Sequence, residues 1–499
     1  MNMHYHFAGW IPSLPKYTAL IVLARARGCG FVIDSLTWSI SRYYRANMWA
    51  PVSSRRKFLR AALGTASVSF LPKFGLAFIP EDERTAWYRE AKFGMFIHWG
   101  PYSLASVEAS WPIMTPKPGG ITEAEYRALP QRFNPTNFDP DAWIDLARTA
   151  GQQYMVFTTK HHDGFCMFDS SYTDYKITRT PYGKDIVKQL AAACDARAMR
   201  LGFYYSPPDM HHPDFRDTSK PASETWHAQP ERPEWPGYLE YMRLQLTELL
   251  TRYGPVVLVW FDGLDHQEKY DGRRFLDLIH SLQPATLVND RIGVPGDYVT
   301  PEQFIPSAIP IKQAHFSAVD QSVNEELKPG VPRPEDFQLW ETCMTINNTW
   351  AYNKNDHDYK SVQYLIRGLV EVASRGGNFL LNVGPQPDGT IQPEFQERLR
   401  AIGDWLAVNG ESVYGTSYGP IQGVNAIRTT VKRETIFVHV FEWPATALGV
   451  PGLNRKVISA HLLATGQPLK FRQSETGLQI ELPAQAPDPN VSVIALRTL

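Results

Sequence analysis

A chain of 499 residues has room for two to four domains at about 150 residues each, or for one α/β barrel of about 250 residues with a smaller companion. Its 50 Lys and Arg against 51 Asp and Glu leave a net charge of -1, which excludes electrostatic steering onto nucleic acid or an anionic membrane and favours a neutral substrate. The 14 Trp and 23 Tyr suit stacking on sugar rings as well as core packing, and the scattered Cys29, Cys166, Cys194 and Cys343 form neither a CxxC pair nor a disulfide framework.

In chain order, the first feature is Ser53-Ser54-Arg55-Arg56-Lys57-Phe58-Leu59 followed by the apolar stretch Ala61 to Leu71. Paired arginines, an apolar run too short to span a bilayer and a small-residue site at Gly75-Leu76-Ala77 read as a twin-arginine export signal over 48–80. Met48 stands at a normal distance before it, so 1–47 is expected to be an extension from an upstream start codon. A periplasmic or secreted protein without a stable membrane span is expected.

From about Trp87, short apolar runs alternate with helical patterns, the signature of βα units around a parallel sheet. Strands are predicted at 93–99, 154–159, 201–206, 256–261, 286–288, 338–340 and 378–383. Helices with apolar residues at three-to-four spacing are predicted at 185–198, 238–253, 273–282, 362–374 and 394–408. Seven strands with helices between most of them predict a (β/α)8-like, TIM-type barrel over 81–412, one strand being unlocated. The stretch 209–236, rich in Pro, His, Asp and Glu and without periodicity, reads as a long loop over the barrel mouth. Past Gly410 the pattern alternates at 426–431, 435–442, 456–463, 477–482 and 491–496, which predicts a small C-terminal β-sandwich over 413–499.

Polar residues just after a parallel barrel strand stand at the C-terminal rim, where this fold builds its sites. The strand ends offer His98-Trp99-Gly100, Lys160-His161-His162-Asp163-Gly164, Tyr204-Tyr205-Ser206, Trp260-Phe261-Asp262-Gly263, Asn289-Asp290-Arg291 followed by Thr300-Pro301-Glu302, and Trp340-Glu341-Thr342. Each has an ordinary structural explanation, since a strand-end His is often a structural hydrogen-bonder and Asp before Gly a turn former. A metal reading of His161, His162 and Asp163 is disfavoured, because neighbouring strand residues point to opposite faces unless the backbone turns there. Together, several hydrogen-bonding groups and carboxylates among aromatic rings suit a sugar. Glycoside hydrolysis needs one carboxylate against the anomeric carbon and one carboxylic acid for the leaving oxygen. Asp262, on the rigid run Pro255 to Phe261, is the expected nucleophile; Glu302 and Glu341 are the candidate acids, and spacing does not separate them.

Lys92 to Gly100, Thr159 to Phe165, Trp260 to Gly263 and Gly377 to Pro385 resemble glycoside hydrolase family 29, the α-L-fucosidases. The likeness runs in order from about residue 85 to 415. It implies retaining double displacement on fucosylated oligosaccharides or glycoconjugates, without metal or organic cofactor. By that resemblance Asp262 is the nucleophile and Trp260 the ring beside it, while His98, His161, His162 and Tyr204 bind the sugar hydroxyls. Arg291 lies near the acid/base loop, and the order Asn-Asp-Arg, linker, Thr-Pro-Glu favours Glu302 over Glu341, which is then expected to line the pocket or to hold a neighbouring helix. Many family members have Glu and Trp adjacent in the first long loop; here Glu108-Ala109-Ser110-Trp111 separates them, with both Glu108 and Trp111 expected at the sugar.

Overall fold

The computed structural model describes residues 81–312 and 330–499. The export signal read at 48–80 and the extension 1–47 lie outside the described residues. Among the described residues no helix is long and apolar enough to cross a membrane, and Cys166, Cys194 and Cys343 are buried free thiols.

Seven parallel strands form one curled sheet: β1 Phe93–Ile97, β2 Tyr154–Lys160, β3 Arg200–Tyr205, β4 Leu258–Phe261, β5 Leu287–Val288, β6 Glu341–Thr345 and β7 Asn378–Val383, in the order β5-β4-β3-β2-β1-β7-β6. The strands are buried on both faces, so their side chains divide by parity rather than by polarity. Phe93, Met95, Ile97, Met155, Phe157, Leu201, Phe203, Val259, Phe261, Phe379 and Leu381 pack outward in the cluster shared with the helices. Phe96, Tyr154, Val156, Tyr204, Leu258, Trp260, Cys343 and Leu380 fill the inside. The inward file therefore delivers His98 after Phe96, Asp262 after Trp260 and Asn382 after Leu380 to the C-terminal rim.

The unlocated eighth strand position is occupied by the segment 298–303. Asn289 bridges Tyr298, while Val299 bridges Trp340 and Glu302 bridges Cys343, all parallel, so this segment sits between β5 and β6 and closes the barrel. Pro301 has no N–H to give and Gln303 has φ +60°, which breaks the ladder into isolated bridges.

One strand prediction is corrected. The run 338–340 precedes the strand, which is Glu341–Thr345; Glu341 thus opens β6 in register with Asn378 at the start of β7 instead of following a strand onto the rim. Four residues of strand, about 13 Å at roughly 3.3 Å per residue, separate it from that edge.

Helices cover the sheet from outside, several with the expected caps: the Asp139 carboxylate accepts from the backbone of Asp141 and Ala142 ahead of Pro140–Thr149, and Ser361 caps Val362–Ser374. Neither Glu81–Ala91 nor Pro140–Thr149 was among the predicted helices. The excursion 209–236 is not a featureless loop; it contains a helical turn, Ala222–Thr225, and its end already belongs to the helix Trp235–Arg252.

Beyond the barrel, β8 Ser417–Tyr418, β9 Ile427–Lys432, β10 Thr435–Val440, β12 Val457–Leu462 and β15 Ser492–Thr498 form a five-stranded antiparallel sheet; β11 Ala447–Pro451, β13 Phe471–Ser474 and β14 Gly477–Glu481 form a three-stranded one. Ile436, Val438, Ile494 and Leu496 meet Leu448, Val450, Leu478 and Ile480 in the sandwich core. The opposite face of the larger sheet, with Phe437, Val493 and Ala495, joins the barrel's outer core. There the Trp405 indole donates to the Val491 carbonyl at 2.9 Å.

Candidate active site

The rim is organised by Arg291. Its Nη1 donates to Asp262 Oδ1 at 2.9 Å and to Glu302 Oε2 at 2.8 Å. Nε and Nη2 are fixed by Thr300, through its hydroxyl and its carbonyl, each at 2.8 Å, and the guanidinium lies 4.5 Å over the Trp260 ring. One nitrogen holding both carboxylates limits the separation of those two oxygens to the two bonds laid end to end, short of the about 6.5–9.5 Å of an inverting pair and compatible with a retaining one. Gly263 allows the approach: its N–H donates to the Arg291 carbonyl at 3.1 Å, and a Cβ there would lie 2.1 Å from that oxygen.

The two carboxyl groups are driven apart in acidity. Burial works to raise the pKa of Asp262, but the His162 hydrogen bond and the Arg291 charge outweigh it and hold the group well below the ordinary carboxylate range. For Glu302 burial wins; together with the Asp262 charge it overcomes the pull of Arg291 and leaves the pKa raised. Such opposed shifts in a close pair mark one member as the anion and the other as the acid.

Around Asp262 the hydrogen bonds are specific. The Tyr204 hydroxyl donates to Oδ2 at 2.9 Å. Ser206 gives its hydrogen to the Pro208 carbonyl at 2.7 Å and lies 2.6 Å from His162 Nδ1, which turns His162 Nε2 toward Asp262 Oδ2 at 3.4 Å. His161 bonds Ser110 through Nδ1 and stacks on Tyr204 with ring centroids 5.4 Å apart. His98 Nδ1 lies 2.7 Å from Asn382 Oδ1. Burial pushes the His98 pKa down to about 4, and burial with repulsion from His162 and His98 holds His161 well below its ordinary value. Both are therefore neutral hydrogen-bonding imidazoles, suited to hydroxyls rather than to proton transfer at neutral pH.

The strand alternation argument does not extend past Lys160, where β2 ends: the His161 and His162 rings sit 4.3 Å apart on the same side. Asp163 instead turns away to the Tyr126 hydroxyl and the Phe165 N–H. The potential ligand atoms of His161, His162 and Asp262 lie within 4.8 Å of one another, but Arg291 already supplies the positive charge beside Asp262, so the set reads as a hydrogen-bonding cluster.

Separation of Glu108 from Trp111 does not keep them from the site. Ala109 takes φ +42°, and the tight turn it makes aims Glu108 at the Trp350 N–H, at 2.9 Å and 3.1 Å from its two oxygens. The same turn sets the Trp111 ring edge-on to His162, centroids 6.0 Å apart. Burial lifts the Glu108 pKa to about 7. Trp350, whose ring is 5.0 Å from His98, and Asn382 and Ser110 were not among the expected site residues, while Ser206 and Thr300 stood in the strand-end motifs without an assigned role. Asn382 had a signal, a polar residue ending an apolar strand; Trp350, in an irregular loop, had none.

Glu341 is the correction among the acids. It is 0 % exposed, inside the barrel, where it accepts from the Tyr154 hydroxyl and from the Trp260 indole at 3.1 Å; it underpins Trp260 and does not line the pocket. Burial raises its pKa to about 7. Between about pH 4.3 and 7 the folded state therefore keeps a proton that the unfolded chain releases, so stability falls as pH rises through that window. In Glu341→Gln the difference in thermal midpoint between about pH 4.5 and 7.5 is expected to shrink; an unaltered difference would contradict the assignment of that window to this carboxyl.

A close carboxylate pair of opposed acidity among neutral donors and indoles, at the rim of a (β/α)8-like barrel, is what glycosidic bond cleavage requires, and the protein is a glycoside hydrolase. A family model described as alpha-L-fucosidase matches residues 77–411. Plasma alpha-L-fucosidase of Homo sapiens is 31% identical over 426 residues, which cover 80% of this chain and 85% of that one. Alpha-L-fucosidase isoenzyme 1 of Paenibacillus thiaminolyticus superposes with a TM-score of 0.73 at 33% identity, over 84% of this chain and 99% of the other. A family 29 alpha-L-fucosidase of Bacteroides thetaiotaomicron, trapped as a covalent intermediate with 2-fluoro-fucosyl fluoride, does so with a TM-score of 0.70 at 27% identity, over 84% and 96%. The chain belongs to the alpha-L-fucosidase family, glycoside hydrolase family 29.

Proposed function

We propose that this chain is an exo-acting retaining α-L-fucosidase that releases terminal α-L-fucose from glycans by double displacement. Asp262, ionised, attacks the anomeric carbon and forms a β-linked fucosyl-enzyme; Glu302, protonated, delivers its proton to the leaving oxygen and then takes one from the incoming water. His98, His161, His162 and Tyr204 hold the sugar hydroxyls with Glu108, while Trp260 and Trp111 provide ring faces and Arg291 orients both carboxyl groups. The observation that carries this reading is the single Arg291 nitrogen shared by two carboxyl groups whose acidities are pushed in opposite directions. Full-length protein is expected to hydrolyse a chromogenic aryl α-L-fucoside. Absence of turnover at every pH from about 4 to 8, the span in which such a pair works, would overturn the reading.

We also propose that the enzyme is exported through the twin-arginine route, on the strength of Arg55-Arg56 and the apolar stretch after them. Replacing both arginines by lysine should retain the fucosidase in the cytoplasmic fraction; unchanged export would refute the route.

A further inference from the structure

An aromatic row leads away from the reacting centre. It begins with His162, whose Nε2 is 3.4 Å from Asp262, passes to Trp111 at 6.0 Å between centroids and then to Trp226 at 6.4 Å, both edge-on. It ends on His227, stacked on Trp226 at 3.7 Å. Exposure grows along it: His162 is buried, Trp111 and Trp226 are half-buried and His227 is exposed. At its outer end His227 Nδ1 lies 2.8 Å from Asp265 Oδ2, and Asp265 is on the same loop as Asp262, three residues further on. The tryptophan of the excursion 209–236 and the loop after the proposed nucleophile are thereby tied together at the mouth.

This part of the excursion is built rigidly. Buried Arg216 donates to the carbonyls of Met210, Asp217 and Lys220 and to the Thr225 hydroxyl, next in sequence to Trp226. Glu123 receives both Arg216 and the Ala222 N–H. His211 and His212, by contrast, are engaged by other rings, His211 stacked on Tyr175 at 4.2 Å and His212 packed on Tyr241 at 4.3 Å. A half-exposed indole held by a dense hydrogen-bond net, with a carboxylate and an imidazole at its outer margin, matches the requirements of a pyranose ring: an apolar C–H face to stack and hydroxyls to bind at the edge. Preorganisation spares the ordering that a mobile loop would lose on binding.

We propose that Trp226, with His227 and Asp265, forms the subsite for the sugar to which fucose is attached, and that it takes a neutral hexopyranose. The inference rests on the fucosidase reading: a fucose seated against Asp262 occupies the buried end of the row, and the sugar that carries it has to lie at the exposed end, where Trp226 and His227 stand. α-L-Fucosyl fluoride has a leaving group of one atom and no second ring to place on Trp226, whereas an α-L-fucosyl-galactose disaccharide carries that second ring. In full-length Trp226→Ala the ratio of kcat/KM for the disaccharide to that for the fluoride is expected to fall about tenfold, the scale of one lost ring contact. Trp226→Phe should restore most of it, and His227→Ala, a change at an exposed position, should lower it by a smaller factor. A ratio unmoved in Trp226→Ala and His227→Ala, with the fluoride still turned over, overturns the subsite alone. No turnover of the fluoride by the unaltered enzyme overturns the fucosidase reading and the subsite with it.

Discussion

Asp262→Gly is expected to lose at least about a thousandfold in kcat/KM, since removing a nucleophile deletes the covalent route and leaves only binding and electrostatic assistance. The residue stands at the end of a buried strand, β4 Leu258–Phe261, and its two oxygens are held by Arg291 and Tyr204, so its aim is fixed before substrate arrives. Glycine leaves a space the size of a carboxylate beside an arginine, which favours a small anion. Azide should therefore restore part of the rate with an activated aryl fucoside, and because it enters from the face that Asp262 occupied, the product should be β-fucosyl azide. The product's anomeric configuration, read by NMR, decides the matter. An α-configured azide would mean that residue 262 is not the nucleophile. Loss of fold would not imitate the expected outcome, because Arg291 keeps both bonds to Thr300 and an unfolded protein gives no azide product.

Much of the barrel was legible because its strands are apolar whichever way their side chains point. Phe93–Ile97, Tyr154–Lys160 and Asn378–Val383 stand out as runs, and a polar residue directly after such a run marks the rim; His98, His161 and Asp262 are found by that rule alone. The rule fails where a strand is short or polar. Glu341-Thr342-Cys343-Met344-Thr345 does not look like a buried strand, since Glu341 meets Tyr154 and Trp260 inside the barrel and Thr342 donates its hydroxyl to the Phe304 carbonyl. The more apolar residues before it drew the prediction three places early and carried Glu341 onto the rim. Tyr298 to Gln303 is harder still, because Pro301 and the positive φ of Gln303 allow only isolated bridges, and neither composition nor period announces a strand closed that way. Depth inside a barrel and contacts between remote loops, such as Trp350 on Glu108, depend on register and closure, which local periodicity does not encode. The C-terminal sandwich shows the same division: β10 and β15 were found from their alternation, whereas β11 Ala447–Pro451 and β13 Phe471–Ser474, short and largely exposed, were not.

Glu302→Gln separates the two candidate acids by the leaving group. A general acid matters in proportion to the basicity of the oxygen that departs, so this variant is expected to lose about 10²–10⁴-fold in kcat/KM on fucosyl disaccharides. It should lose far less on α-L-fucosyl fluoride or a nitrophenyl fucoside, whose leaving groups need little protonation. The pH profile supplies an independent sign. Asp262 is held below the ordinary carboxylate range and must be ionised, which places the acidic limb low; Glu302 is raised and must be protonated, which carries the basic limb above the usual Glu range. Glutamine at 302 has no proton to lose there, so the basic limb for disaccharides should disappear together with the rate. Azide added to Glu302→Ala with an activated fucoside should give the α-fucosyl azide, the opposite anomer to that from Asp262→Gly, because the anion now enters from the face of the missing acid/base. Glu341→Gln should do none of this: its carboxyl is sealed beneath Trp260, so any loss of activity falls alike on good and poor leaving groups. A leaving-group dependence that appeared in Glu341→Gln and was missing from Glu302→Gln would reverse the assignment, and would require the barrel interior to open by several ångströms for the acid to reach a glycosidic oxygen.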